Sequence, residues 1–428
     1  MKYYLGIDLG STTSKAVMVD GEGDIIGRGI TNTRANYKIA ADIARLGAEY
    51  DARFYLLRQG LLKKNRNSAE LQELLDRIET AFRYLRFSRR FDLLVRNMLN
   101  LAQEKSDETD GSDIPAKLSR IFSDIKRDIR DEFLSDRIST AYQFFRDVFS
   151  HHYLNKIESL DPRVFDSLLA LYDTSIIPVE NEMLQFDFSE MVMNSVKFLD
   201  QQQNGLLDSL EADLEVFSLV DLTPENYVGT GYGRQLLPFD EKHIKSEILC
   251  HALGAHAIFP GTRTVLDIGG QDTKAIQVDE HGLVTSFQMN DRCAAGCGRY
   301  LGYIADELNM SVSELGPRAL LSDYETNICS TCTVFAGAEL REYLNIGEKQ
   351  ENILAGLHQA IVQRAFSLLA RSGGVSNEFT FTGGVARNQA VVNYVSRMMK
   401  DNYGSLTINI HTDSIFMGAF GAALLGMR

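Results

Sequence analysis

Positive charge is in short supply in this 428-residue chain: 44 lysines and arginines face 58 aspartates and glutamates, for a formal charge of −14 and a pI near 5.1. A polyanion-binding surface needs the opposite balance, so no nucleic-acid partner is expected. No run is apolar for long enough to read as a bilayer-crossing segment, so no membrane partner is expected either. The opening MKYYLGIDLGS lacks a charged-then-apolar leader pattern and passes straight into a strand, which makes the cytoplasm the expected location. Cysteine is scarce, at five residues. A chain of this length has core enough without disulfide staples, and a reducing compartment would not keep them. Hydrophobic residues make up 44%, an ordinary share for a globular protein of two or three domains.

The few cysteines are not scattered. NDRCAAGCGRYL (290–301) holds Cys293 and Cys297, and ICSTCTVFAGAEL (328–340) holds Cys329 and Cys332. Two close pairs are a poor pattern for buried small hydrophobes. Four thiolates suit a structural zinc ion within one chain. They equally suit an iron–sulfur cluster, whose ligands need not all come from one chain. Both sequences read as helix starts, where the partial positive charge of an N-terminus favours a thiolate.

Strand-like runs cluster at two places. YYLGIDLG, KAVMVD and DIIGRGI form a meander at 2–30, and TVLDIGG, TKAIQV and LVTSFQM form a second one near 264–289. Their likeness points to a duplicated domain. Between them, from about 36 to 220, there is little strand pattern. Leu71, Leu74, Leu75, Ile78, Phe82 and Leu85 recur at helical spacing, as do Phe122, Ile125, Ile129 and Phe133, with Phe145, Val148 and Phe149 beyond. Such stripes predict helix–helix packing. The expected organisation is a first domain from 1–35 and 222–261, a helical insertion at 36–221, and a second domain at 262–414. The helix at 415–428 is expected to return to the first domain. With no cysteine and no nucleotide turn, the insertion is expected to serve assembly rather than chemistry.

Each meander opens with the same grammar: carboxylate, glycine, polar turn, lysine. The first is DLGSTTSK, with Asp8, Gly10, Ser11, Thr12, Thr13 and Lys15. The second is DIGGQDTK, with Asp267, Gly269, Gly270, Gln271 and Asp272. Glycine lets an anion approach the backbone, exposed N–H and hydroxyl groups donate to phosphate oxygens, and a carboxylate at a strand end suits Mg²⁺. Gln271 and Asp272 are placed to orient an attacking water. A third signal, FTGGVARN (381–388), ends a strand in Gly383 and Gly384, bare backbone for a base and ribose. Glu247 and His251, one turn apart in SEILCHALGAH, read first as a local helix pair and second as a contact near the cleft.

Together these three signals resemble the actin-like ATPase superfamily, which implies an α/β fold of two ribonuclease-H-like domains with a large helical insertion in the first. NDRCAAG, STCTVFA and TGGVARN sharpen the resemblance, to the activator ATPases of 2-hydroxyacyl-CoA dehydratases and the ATPase subunits of benzoyl-CoA reductase. It covers residues 1–35 and about 222–428. It implies ATP and Mg²⁺, and one [4Fe–4S] cluster shared between two ATPase subunits, with Cys293 and Cys332 as this chain's ligands. Cys297 and Cys329 stand where those activators have other residues.

The long insertion resembles the larger ATPase subunit of the reductases. That implies a paralogous smaller ATPase subunit, two iron–sulfur subunits that bind the acyl-CoA, and ferredoxin as electron donor. Asp8, Asp267 and Gln271 are the expected catalytic residues. Two alternatives are a homodimeric dehydratase activator and, from another class, a zinc-stabilised actin-like kinase or regulator without redox role.

Overall fold

The computed structural model describes residues 1–33, 36–64, 69–106, 114–135, 144–200, 211–290, 297–308, 310–328 and 333–428. The chain divides into two compact units. One is Leu46–Leu222 with Met1; the other joins Lys2–Arg45 to Thr223–Arg428.

The discontinuous unit carries two sheets. In the first, β1 (Lys2–Leu9), β2 (Thr13–Val19) and β3 (Ile25–Asn32) form the expected antiparallel meander, and β4 (Thr223–Thr230) returns to lie parallel to β1. The second sheet has the order β7-β6-β5-β8-β9. It is built from β5 (Thr264–Ile268), β6 (Thr273–Val278), β7 (Val284–Asn290), β8 (Phe379–Thr382) and β9 (Ile408–Ile410). Here too the first three strands are antiparallel, and β8 joins parallel to β5. The topology of one half repeats in the other. The central strand β5 is buried along its whole length, as a strand flanked on both sides must be.

Two helices close the first half. In α8 (Glu247–Ile258) and α14 (Met417–Met427), small residues let backbones nearly touch. A Cβ at Gly421 would lie 1.8 Å from Cys250 O, and one at Gly6 of β1 would lie 1.9 Å from Ala419 O. In the second half, α9 (Gly298–Glu307), α10 (Val312–Ala319), α11 (Thr333–Asn345), α12 (Gln350–Ser372) and α13 (Gln389–Tyr403) surround a core that includes Leu266, Ile268, Phe379 and Phe381. Among the described residues α12 alone is long and apolar enough to cross a bilayer, yet 72% of its most apolar window is buried. Burial in this core accounts for that composition. Apolar spacing did not predict α10. Its signal was a capping box, Ser311 with Glu314, masked by Pro317 inside the helix.

The other unit is helical. The chain enters it through α1 (Tyr37–Lys64), followed by α2 (Ala69–Ser106), α3 (Ile114–Leu134), α4 (Phe145–Ile157), α5 (Pro162–Glu180), α6 (Phe188–Asp200) and α7 (Glu211–Ser218). The apolar stripes face inward, into two cores. Phe122, Ile125, Ile129 and Phe133 of α3 meet Phe91, Phe149 and Tyr172 in one. Leu71, Leu75, Ile78 and Phe82 of α2 meet Phe54, Phe188 and Leu214 in the other. Those stripes are consumed by the unit's own interior, so they are not a free docking face.

Candidate functional site

The duplication extends to single residues. Register pairs Asp8 with Lys15 across β1–β2, and Asp267 with Lys274 across β5–β6. On the parallel side Asp8 faces Thr230 and Asp267 faces Thr382. Each strand end therefore holds an aspartate between a lysine and a threonine. The residue after each threonine is a glycine with positive φ, +92° at Gly231 and +90° at Gly383. Both glycines are required by close approach as well. A Cβ at Gly231 would lie 2.4 Å from Asp8 Oδ1, and one at Gly383 would lie 2.3 Å from Ile268 O. The two threonines were invisible to sequence spacing; only the parallel pairing exposes them.

The two turns meet. A Cβ at Gly270 would lie 2.3 Å from Thr12 Oγ1, so the second hairpin's glycine abuts the first hairpin's tip. Around this meeting point Gly10 is pressed on Thr13 O, Gly269 on Asp272 Oδ1, and Gly384 is exposed beside Ile415. Ser11, Thr13 and Gln271 are half-buried at the turns and Thr12 is exposed. The structure thus brings the nucleotide-binding candidates of both hairpins and the Gly383–Gly384 turn together.

The electrostatics of the two pairs differ. Lys15 Nζ lies 3.3 Å from Asp8, its one carboxylate among the described residues. Lys274 Nζ is held by three: Asp272 at 2.8 Å, Asp267 at 3.4 Å and Glu247 at 3.8 Å. Burial works against its charge, but the carboxylates outweigh burial and hold its pKa well above the ordinary lysine value. Burial likewise opposes ionisation of Asp267. His251 and Lys274 overcome it and hold the acid well below the carboxylate range, and Thr382 donates a 2.9 Å hydrogen bond. Glu247 is raised, chiefly by burial. Four carboxylates, Asp8, Asp267, Asp272 and Glu247, thus confront two ammonium groups.

That negative excess and its hard oxygen donors fit a divalent cation. Among the described residues no three metal-binding side chains form a ready cage, as suits Mg²⁺, which is held through one or two carboxylates and substrate phosphates. Glu247 and His251 lie inside this site, buried, with His251 Nδ1 3.2 Å from Asp267. Their spacing of one turn was legible; their position depends on where α8 lands, which was not.

The loop that follows Gly383 and Gly384 is fixed from beneath. His358 Nδ1–H donates to Leu354 O at 2.7 Å, and its Nε2 accepts from Asn388 Nδ2 at 2.9 Å. Asn388 Oδ1 in turn accepts from Ala390 N and Val391 N and caps α13. Burial pushes the His358 pKa down to about 4, keeping the ring neutral for this double role.

Cys293, Cys329 and Cys332 lie outside the described residues. Cys297 is buried, at the N-cap of α9. Cys250 is also buried, and burial pushes its thiol up to about 12, which leaves it unreactive. The helices that follow the pairs are informative. Tyr303 packs on Gly337, and four residues further along both helices Arg341 bonds Glu307 at 2.6 Å. α9 and α11 therefore run parallel, with their N-terminal ends at the same side. At that end α9 is tied to the second glycine turn: Gly298 N donates to Gly269 O at 2.8 Å and Arg299 N to Gly270 O at 2.7 Å.

Two sheets of one topology, with facing carboxylate–lysine hairpins, define an actin-like ATPase. The chain belongs to the BadF/BadG/BcrA/BcrD ATPase family, whose model matches residues 5–426. It is 43% identical to a 2-hydroxyisocaproyl-CoA dehydratase activator of Clostridioides difficile, over 46% of this chain and 71% of that one. It is 38% identical to the (R)-2-hydroxyglutaryl-CoA dehydratase activating ATPase of Acidaminococcus fermentans, over 56% and 90%. It is 31% identical to a benzoyl-CoA reductase component of Thauera aromatica, over 54% and 78%. In fold it resembles the crystal structure of the Acidaminococcus fermentans dehydratase component A, with a TM-score of 0.52 at 22% identity over 100% of this chain and 98% of that one.

Proposed function

We propose that this chain is a cytoplasmic, ATP-hydrolysing electron-transfer component that serves an enzyme acting on a CoA thioester. The observation that carries the reading is the pair of Asp–Lys–Thr strand ends whose turns meet at Thr12 and Gly270. In this reading Asp8 and Asp267 hold Mg²⁺. Gly10, Ser11, Thr12, Thr13 and Lys15 receive the phosphates from one side, and Gly269, Gly270 and Asp272 from the other. Gln271 orients the attacking water, and Gly383 and Gly384 back the adenosine. Lys274, engaged by three carboxylates, keeps the acidic cluster together rather than reaching phosphate.

Cys293 and Cys332 are proposed to hold a [4Fe–4S] cluster together with the same pair from a second ATPase subunit. The parallel α9 and α11, each entered directly from a cysteine pair, support this, since helix N-termini stabilise thiolates. When bound, such a cluster supplies a one-electron store at low potential. The backbone hydrogen bonds that Gly298 and Arg299 donate to the Gly269–Gly270 turn let nucleotide state act on the cysteine-bearing helix.

Two partnerships fit. In one the chain pairs with a smaller paralogous subunit, draws on ferredoxin and serves two iron–sulfur acyl-CoA subunits of a benzoyl-CoA reductase. In the other it is a homodimeric activator of a 2-hydroxyacyl-CoA dehydratase, favoured by the higher identity to dehydratase activators. Co-purification with a shorter paralogue selects the first; a homodimer that leaves its partner after each transfer selects the second.

Anaerobically purified protein should contain iron and sulfide, near four irons per pair of ATPase chains. Cys293→Ala and Cys332→Ala should lose them, while Cys297→Ala and Cys329→Ala keep them. Zinc without iron would end the redox reading. Asp8→Asn and Asp267→Asn should each slow ATP hydrolysis by ~10²–10³. Gln271→Ala should lower kcat more than ATP affinity, and equal losses would reduce it to a binding residue.

A further inference from the structure

The imidazole of His251 occupies a position that the proposed roles leave unused. It is carried by α8, one turn after Glu247, and is almost wholly buried. Its Nδ1 lies 3.2 Å from Asp267 Oδ1, in the second half, off the line of a regular hydrogen bond. Its Nε2 borders Asp8, in the first half: a methyl placed on Gly418 of α14 would lie 2.7 Å from His251 Nε2 and 3.1 Å from Asp8 Oδ2. One ring thus meets Asp267 of one hairpin at Nδ1, and at Nε2 shares the space beside Gly418 with Asp8 of the other. The other charged groups around it are Lys274 and Glu247, which engage each other at 3.8 Å, with Lys15 on Asp8 and Asp272 on Lys274.

We infer that His251 is a positioning residue that sets the spacing of Asp8 and Asp267, so that both carboxylates can serve one divalent cation. The inference rests on the proposed ATP site. Residues that orient metal-binding groups from behind typically cost about 10–100-fold in metal affinity when removed. Gly418→Ala perturbs the same spacing from another helix, since its methyl and the His251 ring cannot share the space.

The test is calorimetric binding of a non-hydrolysable ATP analogue, with Mg²⁺ and in EDTA, to the full chain and to His251→Ala, His251→Asn, Gly418→Ala and the His251→Ala/Gly418→Ala double variant. Wild type should bind more tightly with Mg²⁺. In His251→Ala and Gly418→Ala that gain should shrink about 10–100-fold, with EDTA affinities close to wild type. His251→Asn, whose amide can stand at the Nδ1 place, should retain part of the gain. The double variant should be no worse than His251→Ala, because removing the ring makes room for the methyl. An undiminished Mg²⁺ gain in His251→Ala and Gly418→Ala overturns the inference. So do equal losses with and without Mg²⁺, which would mark a general collapse of the pocket. Should His251→Ala fail to fold, Gly418→Ala and His251→Asn decide the matter. Failure of wild type to bind the analogue at all would instead overturn the proposed ATP site.

Discussion

Replacing Lys274 by methionine should be more costly than the same change at Lys15, although the two lysines occupy equivalent register positions. Lys274 is 2% exposed and stands among three carboxylates. Its removal leaves buried like charges without a counter-ion, a loss of ~3–5 kcal/mol. The Lys15 side chain is 13% exposed and, among the described residues, has one carboxylate partner at 3.3 Å. Losing one charged hydrogen bond costs roughly 1.5–3 kcal/mol.

Urea unfolding in EDTA at pH 7 measures both, following the transition that an ATP analogue shifts. The pH dependence is fixed by the direction of the shifts. Lys274 is raised, so its contribution is complete below the ordinary lysine value and is lost only as pH rises beyond it. Asp267 is depressed, so its contribution is present above the ordinary aspartate value and is lost as pH falls toward the folded one. The Lys274→Met deficit should therefore be full from neutral to mildly alkaline pH. It should shrink on acidification, as the stranded carboxylates, Glu247 first, take up protons. Equal deficits for the two variants, or a Lys274→Met deficit insensitive to acid, would refute the reasoning.

Gly298→Pro removes the N–H that bonds Gly269 O at the first position of α9, where proline is tolerated; Gly298→Ala keeps it. By hydrogen exchange the proline variant should lose the nucleotide dependence of protection in α9, and the alanine variant should retain it. Gly383→Ala, at φ +90° and 2.3 Å from Ile268 O, should abolish measurable ATP-analogue binding by calorimetry. Burial holds His358 near pKa 4, below its ordinary 6.5, so its contribution is complete above 6.5 and is lost as pH falls to 4. Wild type should lose up to about 3 kcal/mol over that window in acid titrations of stability, and His358→Gln should not show the slope. Phe149→Ala, in a fully buried ring cluster with Phe91, Tyr153 and Tyr172, should cost the helical unit ~3–5 kcal/mol by calorimetric melting and leave ATP-analogue binding in place.

Both meanders and both carboxylate–lysine hairpins were legible because everything they need is local: alternating apolar residues, turn glycines, and a lysine seven residues after an aspartate. The inward direction of the Phe122–Phe133 stripe was legible for the same reason. Long-range pairing was not. Thr230 and Thr382 gain meaning only beside Asp8 and Asp267, through parallel strands that return after a long excursion. Glu247 and His251 showed their mutual spacing, but nothing in α8 announces that its face lies between two hairpins. Lys274 looked like the twin of Lys15; its three carboxylate neighbours come from β5, the turn and α8, and only packing brings them together. The cysteine positions Cys293, Cys329 and Cys332 remain a matter of sequence pattern.

The contact of α14 with β1 orders events during synthesis. β1 leaves the ribosome ahead of the helix that covers its Gly6 face, which follows about 400 residues later, some 20–80 seconds of elongation at ~5–20 residues per second. β4, its parallel partner, also arrives only after the whole helical unit. For that interval the face of β1 that carries Gly6 and lies against Ala419 of α14 has no native cover, while the helices of the intervening unit already have partners near them in sequence. The nascent chain thus carries both a finished helical body and an open apolar meander. Chaperone occupancy of the β1–β3 segment should persist until Met417–Met427 has emerged.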